Sequence, residues 1–535
     1  MIRSPRTYRT HVAAALLLTG ISTHAQQAAW LTGWSVNWTL NPGMPRHVLA
    51  SSPGGELMTA RLDGVTQLYG SDVFGGVVVH RLDPGIGQPL WSCGLGITAT
   101  VDCGAVDDDG NVYVAGRFMD SLALCDGATL VHTGSGPDVD LYLIKFDPTG
   151  MPLWKRNISV AQPDASMMAA LAIDPNGDLW YATSDFILAR IHRVDAAGND
   201  VEQRSIDGGK TIGAMSFDPW GGLYVSGGCD NNAFAFGGLT PVLPANEPYL
   251  MFLCRFKPDG TGDWAQFAHD ITFQFPVVVT DDEGHAYVAG NVFDSTSWGG
   301  IPLQGPDWTS AMFLARADST GQFLWGLSSA PAGGPITGDI TAGVRGCLAV
   351  DGNGNPRITG TVRGEVVWGN GVASDAGTIT DQAQTIVAFD TSGTPQWAST
   401  SAPTTYVTSH AVNCPDDGTL FFSGHATDEF GFPPFQTGAP GVQTYTVGRI
   451  DALSTVLPEV NDAASLAVHP VPTDAELFVL DPDGAMAFRL IAPSGAVVRQ
   501  GVLDRGRNWL DLRGLAPGLY TLVTGNGRSA RVVVH

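Results

Sequence analysis

Apolar residues in this chain come in short runs, and turn residues interrupt them at a regular interval. Around residues 107–118 the order is D-D-D-G-N-V-Y-V-A-G-R-F: an Asp-rich turn closed by Gly110, then an apolar run ending at Gly116. Glycine supplies positive φ without steric cost, and a neighbouring Asp or Asn can bond its own backbone. Val-Tyr-Val suits a pleated, well-packed surface. The pattern predicts a strand, a tight turn and a second strand. Runs such as V-V-V-H (77–80) and L-Y-L-I (141–144) do not alternate polar and apolar, as expected of strands buried on both faces.

The hairpin recurs. Copies are S-P-G-G-E-L-M-T-A (52–60), D-P-N-G-D-L-W-Y-A (174–182), D-P-W-G-G-L-Y-V-S-G (218–227), D-D-E-G-H-A-Y-V-A-G (281–290), D-G-N-G-N-P-R-I-T-G (351–360) and P-D-D-G-T-L-F-F-S-G (415–424). From Gly55 to Gly418 is 363 residues over six intervals, a period of about 60. A second hairpin alternates with it, clearest in L-Y-L-I-K-F-D-P-T-G-M-P-L-W (141–154) and repeated at 78–91, 253–264, 314–325 and 387–397. A copy at 191–201 lacks the tryptophan, and the last, V-G-R-I-D (447–451), stops before its fourth strand.

Two hairpins per period make four antiparallel strands. Seven such sheets predict an all-β fold, a seven-bladed β-propeller, followed by a small immunoglobulin-like β-sandwich. The truncated last copy predicts that Q-A-A-W-L-T-G-W (27–34) supplies the missing strand, so the propeller is expected over 27–456. The two motifs resemble a bacterial β-propeller repeat family reading roughly D-x-x-G-N-x-Y-V-x-G and then K-x-D-x-x-G-x-x-x-W. The resemblance covers about four-fifths of the chain. It implies an extracytoplasmic propeller and no defined activity.

A linker is expected at 457–465, then a compact β-rich segment at 466–535 with Pro and Gly between short apolar strands. This segment resembles the type A sorting domain of the type IX secretion system of Bacteroidetes. The matching residues are Pro470 and Pro472 after the first strand, Gly495 in A-P-S-G, and Leu515, Gly518 and Tyr520 in L-A-P-G-L-Y. Val471 stands where the family has Asn, and His535 ends the chain where the family often has Lys. The resemblance implies the secretion machinery as partner, passage through the periplasm and outer membrane, and then attachment to the outer cell surface or release.

The N-terminus fits export. Arg3, Arg6 and Arg9 precede a short apolar core, Val12 to Ile21, and Thr23-His24-Ala25 offers small residues for cleavage, so 1–25 reads as a signal peptide. That run is too short for a membrane span, and no other is longer, so no transmembrane segment is expected. Net charge is −24, with 52 acidic and 28 basic residues, which argues against a nucleic-acid partner. Seven cysteines, none in C-x-x-C, leave at least one unpaired within the chain and fix no pairing.

Candidate chemistry is sparse. The turns Asp107 to Asp109, Asp281-Asp282 and Asp416-Asp417 suggest calcium, but they lack alternating oxygen ligands and a distal bidentate Glu, so they read as hairpin turns and no cofactor is expected. Trp91, Trp154, Trp264, Trp325 and Trp397 hold one repeat position, which favours burial between blades over a carbohydrate platform. His285, His410 and His425 read as surface or loop residues. No H-E-x-x-H, G-x-S-x-G or phosphate-loop pattern occurs, so no catalytic residue is assigned. Two functions remain: an exported binding or structural propeller for an unknown extracellular ligand, or an extracellular hydrolase or lyase with its site in the channel.

Overall fold

The computed structural model describes residues 28–36, 47–69, 72–133, 139–160, 166–245, 247–270, 275–306, 309–334, 336–415 and 418–451, then 467–469, 476–481, 486–492, 497–503, 506–524 and 529–534. The signal-peptide and linker expectations lie outside them, as do Asp416 and Asp417. Every regular element among the described residues is a β-strand. The chain divides into two compact units, Met1–Ala452 and Leu453–His535.

The larger unit is a succession of four-stranded antiparallel modules. In the second, residues 99–106 pair with Val112–Met119, which pairs with Val139–Phe146, which pairs with Pro152–Ile158. The first spans 47–95, and the third to sixth lie within 167–207, 209–270, 277–328 and 338–400. The seventh takes Tyr406–Asn413, Leu420–Thr427 and Gln443–Ile450, and its fourth strand is Ala28–Val36. Strand Pro89–Val106 runs unbroken from the outer edge of the first module to the inner edge of the second, so the two form one sheet. The innermost strands of successive modules lie side by side, and that of the first also lies against that of the seventh.

Local chemistry explains the repeat. All seven glycines of the first hairpin, Gly55 to Gly418, sit at φ between +77° and +86°, where a side chain would be strained. The second hairpin carries a clamp to the following module. Trp91 donates its indole N–H to the Pro148 carbonyl at 3.1 Å, and its ring lies under Gly150, where a Cβ would come within 2.7 Å of it. Trp264 reaches the Ser319 carbonyl and Trp325 the Thr391 carbonyl, each at 3.0 Å. Arg81 and Arg316, on the adjoining strands, donate to the same carbonyls of Pro148 and Thr391. Trp30 and Arg449 of the seventh module both reach Pro84 of the first at 3.0 Å, so the same device joins the chain's two ends.

The third module lacks the tryptophan, with Glu202 at its position. Glu202 holds Arg204 Nε at 2.9 Å, and Arg204 donates to the Pro258 carbonyl at 3.2 Å. A guanidinium thus replaces an indole at an equivalent acceptor. The five repeat tryptophans are half-buried rather than fully enclosed, and in Trp91, Trp264 and Trp325 the indole edge stays at the rim where it reaches that turn. Trp298 and Trp368, in the middle connections, are buried.

A disulfide joins Cys93, on the outer strand of the first module, to Cys125, in the middle connection of the second. Cys229, Cys254 and Cys347 are buried thiols; burial pushes Cys229 and Cys347 up to about 12, which makes them inert nucleophiles.

The smaller unit has two antiparallel sheets. One orders Ala467–His469, Glu476–Asp481 and Gly506–Asp511; the other orders Val497–Leu503, Met486–Ile491, Gly518–Thr524 and Ser529–Val534. Leu477, Val479, Leu490, Leu503, Leu522 and Val532 share one apolar core.

Candidate functional site

The first-hairpin turns of several modules meet at one mouth of the larger unit, around a cavity of about 430 Å³ lined by Asp107 to Asp109, Asp174, Asp218, Asp281 and Asp282. The leading carboxylate of each turn is occupied by its own module. Asp281 accepts the backbone N–H of Glu283 (3.0 Å) and of His285 (2.8 Å), the Tyr287 hydroxyl (3.3 Å) and Arg316 (3.3 Å). Asp218 accepts Trp220 and Gly222 N–H and Arg255 at 2.7 Å, and Asp351 repeats this with Asn353, Asn355 and Arg357. Asp107 takes Asn111 and the Tyr113 hydroxyl. These carboxylates close turns; Asp218 and Asp281 also anchor an arginine of the third strand, and Asp351 one of the second. The second positions, Asp108, Asp109, Asp282 and Glu283, face solvent and leave the mouth acidic. Among the described residues no group of His, Cys, Asp and Glu has metal-holding geometry.

Deeper in, a smaller cavity of about 110 Å³ is bounded by Val48, Leu49, Ala169, Ala170, Ala214 and Met215, with Asp102, Cys103 and Arg345. Asp102 is buried and meets Arg117 Nε at 3.1 Å and Arg345 Nη2 at 3.8 Å. Burial, then the Asp102 charge, pushes the Cys103 thiol well above its ordinary range, so it is no nucleophile.

The seam between the seventh and first modules is polar and buried. His410 and His425 are fully enclosed, not surface residues, because the strands carrying them pack against the first module. His47 Nε2 lies 2.7 Å from the Thr59 hydroxyl, which itself donates to the Val48 carbonyl, so the imidazole is the donor in that pair. The His47 ring sits 5.5 Å from His410 and 5.0 Å from Tyr445, and His425 sits 5.2 Å from Tyr445. His80 stacks on Trp34 at 5.0 Å. Desolvation, with the Arg61 charge adding to it, lowers His47 to about 3 and His80 to about 4; desolvation lowers His425 to about 4. His285 is half-buried beside Asp281 and Arg316.

A cavity of about 720 Å³ forms a groove over the sixth and seventh modules, floored by Pro403, Pro433, Pro434 and Phe435 and edged by Asp381, Asp428 and Glu429. In the smaller unit, the Tyr520 hydroxyl donates to the Ala516 carbonyl at 2.7 Å, Leu515 N–H reaches the Leu512 carbonyl, and Gly518 opens a strand. The L-x-x-G-x-Y pattern therefore closes a loop. Pro470, Pro472 and Gly495 lie outside the described residues.

Sequence reading missed Asp102, Arg345, His47 and His80. The signal for Arg345 was present: A-G-V-R-G-C places it between Gly343 and Gly346 where the other modules run an unbroken strand. The pairing of the histidines had no local signal.

No family model matches the chain, and no curated protein matches it. Among solved structures, it is similar to the extracellular domain of a hybrid two-component system from B. thetaiotaomicron, at 12% identity over 93% of this chain and 88% of that one, TM-score 0.19. It is also similar to a calcium-binding regucalcin from Agrobacterium tumefaciens, at 13% identity over 62% and 86%, TM-score 0.30. A third is PorZ, a surface component of the type-IX secretion system of Porphyromonas gingivalis, at 8% identity over 94% and 100%, TM-score 0.17. Likenesses this distant carry no argument about what this chain does.

Proposed function

We propose that the chain is an exported seven-bladed β-propeller that works by binding, carried to the outer cell surface or the medium by an immunoglobulin-like sorting segment, 466–535. The observation that carries the binding role is how the carboxylates are used. Asp107, Asp218, Asp281 and Asp351 are held by their own turns and cations, and Asp102 by two guanidiniums. A hydrolase or lyase in the channel would need a positioned acid–base pair, and the carboxylates left open at the mouth, Asp108, Asp109, Asp282 and Glu283, face solvent. Seven four-stranded modules, with the first and seventh joined by Trp30 and Arg449, support the ring. The Cys93–Cys125 disulfide supports an oxidising destination.

The test is a truncation of residues 466–535 expressed in a bacterium with a type IX system. The expected product is a folded larger unit retained in the periplasm. Normal arrival at the surface or in the medium would overturn the sorting role, and failure to fold would make the segment a structural partner instead.

A further inference from the structure

A sheet with one solvated face reads apolar inward and polar outward along each strand. The four-stranded sheet of the smaller unit breaks this rule. It turns Leu490, Leu522 and Val532 into the core, so the residues that flank them in sequence point to the other side. On that outward side stand Val523 of Gly518–Thr524, Val533 of Ser529–Val534 and Val502 of Val497–Leu503, together with Leu519. Val502 is 65% exposed and Leu519 44%. V-V-V at 532–534 and L-V at 522–523 thus read as strands meant to be covered on both faces, like the non-alternating runs of the larger unit. Here one of the two faces is open.

Charge divides the unit along the same line. Residues 466–535 hold seven Arg and six Asp or Glu, a net of +1 within a chain of −24. Among the described residues the acidic ones on strands, Glu476, Asp481 and Asp511, belong to the three-stranded sheet. The outward face of the four-stranded sheet instead carries Arg489 and Arg531, both exposed, and no described carboxylate. The two arginines lie on either side of Gly518–Thr524, opposite Val523 and Thr521, so cations flank an apolar centre. Three occupants can be weighed against this pattern. A second copy, docked by the same face, would set arginine against arginine. A lipid surface favours Trp and Phe at its boundary, and the exposed Trp509, paired in register with Phe478, belongs to the other sheet. Branched side chains standing off a flat sheet suit a flat apolar protein face, and the arginines suit carboxylates at its margin.

We propose that the outward face of this four-stranded sheet docks on a second protein, one that presents an apolar patch edged by Asp or Glu. The inference rests on the sorting reading above and says which face of the segment performs it. Its test uses the full chain in a bacterium with a type IX system. Arg489→Glu combined with Arg531→Glu is expected to cut arrival at the surface or in the medium by about tenfold or more, because like charges then meet across the interface. Arg489→Lys combined with Arg531→Lys is expected to stay within about twofold of wild type, since the charge is kept. Normal export of the glutamate pair overturns the proposal. A photoreactive benzophenone side chain placed at Val502, and in a separate chain at Trp509, then reads what meets each sheet in the cell, and it decides the matter if the glutamate pair fails to fold. The expected result is an adduct with one other exported or outer-membrane protein from position 502 and not from 509. Adducts with lipid, with a second copy or with the chain's own larger unit, the same adduct from both positions, or no adduct at all would each overturn it. The truncation of 466–535 keeps the two readings apart: if it blocks export while the glutamate pair does not, sorting stands and this face is the wrong one.

Discussion

Acidification from pH 7 to pH 5 should destabilise the larger unit through three histidines at the seam of its first and seventh modules. His47 and His80 belong to the first module and His425 to the seventh, and all three are held neutral. Their folded values of about 3, 4 and 4 lie below the ordinary 6.5, so the unfolded chain binds protons first as pH falls. The sign follows: their contribution is intact above about pH 6.5 and is lost progressively on the way down to the folded values. At pH 5 the unfolded imidazoles are almost fully charged and the folded ones almost wholly neutral. Each then costs about 1.8 kcal/mol relative to pH 7, or about 5.5 kcal/mol for the three. That is comparable with the roughly 5–15 kcal/mol that separates folded from unfolded domains. Carboxylates do not offset it in this range, since those held low, such as Asp147 by the Thr149 hydroxyl, stay ionised at both pH values.

Guanidinium unfolding at pH 7.0, 6.0 and 5.0 measures the effect, with tryptophan fluorescence reporting on the larger unit. The slope between pH 6 and pH 5 should reach at least about three protons, about 4 kcal/mol per pH unit, with His192, also lowered by burial, adding in the same direction. In His80→Gln the slope should fall by about one proton. His80 is the best choice for that variant because its Nδ1 partner, the Ser92 hydroxyl at 2.7 Å, can still be met by an amide. A total change below about 1 kcal/mol between pH 7 and pH 5 would refute the argument, because buried imidazoles could not then be held neutral by desolvation.

The remaining predictions concern the joints. Removing the Cys93–Cys125 bridge by a double serine substitution opens a loop with a separation of 32 residues and should cost about 3–4 kcal/mol, read as a lowered denaturant midpoint that wild type reproduces under reductant. Deleting residues 27–40 removes the strand paired with Gln443–Ile450 and the Trp30 end of the Trp30–Pro84 contact; an unchanged melting temperature would contradict the ring. Trp30→Ala alone should cost about 3–5 kcal/mol, since the ring is buried. Arg204→Met keeps an unbranched apolar side chain but loses both the guanidinium over Trp180 and the donor to Pro258, and it should destabilise by about 1–3 kcal/mol in the same unfolding assay.

Much of the architecture was legible because the repeat is enforced by backbone needs. A glycine at positive φ and a leading Asp that caps its own turn leave a signature at every copy, and the all-β character follows from the strands between them. The tryptophans were legible as a position but not as a contact. Nothing in the sequence says that an indole N–H meets a carbonyl of the next module, so their half-exposed rim placement was not foreseen. His410 and His425 were misplaced for a related reason. Their burial depends on which module packs against them, and a partner, His47, lies more than 300 positions away in the sequence. The Cys93–Cys125 pairing was equally unreadable, since the two residues lie in different modules and meet only when a middle connection folds back.

The third and sixth modules depart from the repeat in different ways, and the difference separates structure from function. In the third, the departure is repaired: Glu202 and Arg204 together restore a donor to the Pro258 carbonyl, and Arg204 lies over Trp180 and Phe256 as an indole would. Such compensation is expected when only the joint is under constraint. In the sixth, the departure is elaborated. The bulge at 343–347 needs glycine at one end, exchanges backbone hydrogen bonds with the seventh module, and brings Arg345 within 3.8 Å of Asp102. A bulge held by several backbone hydrogen bonds to its neighbour, where the other modules run an unbroken inner strand, is a departure that the joint between modules does not require.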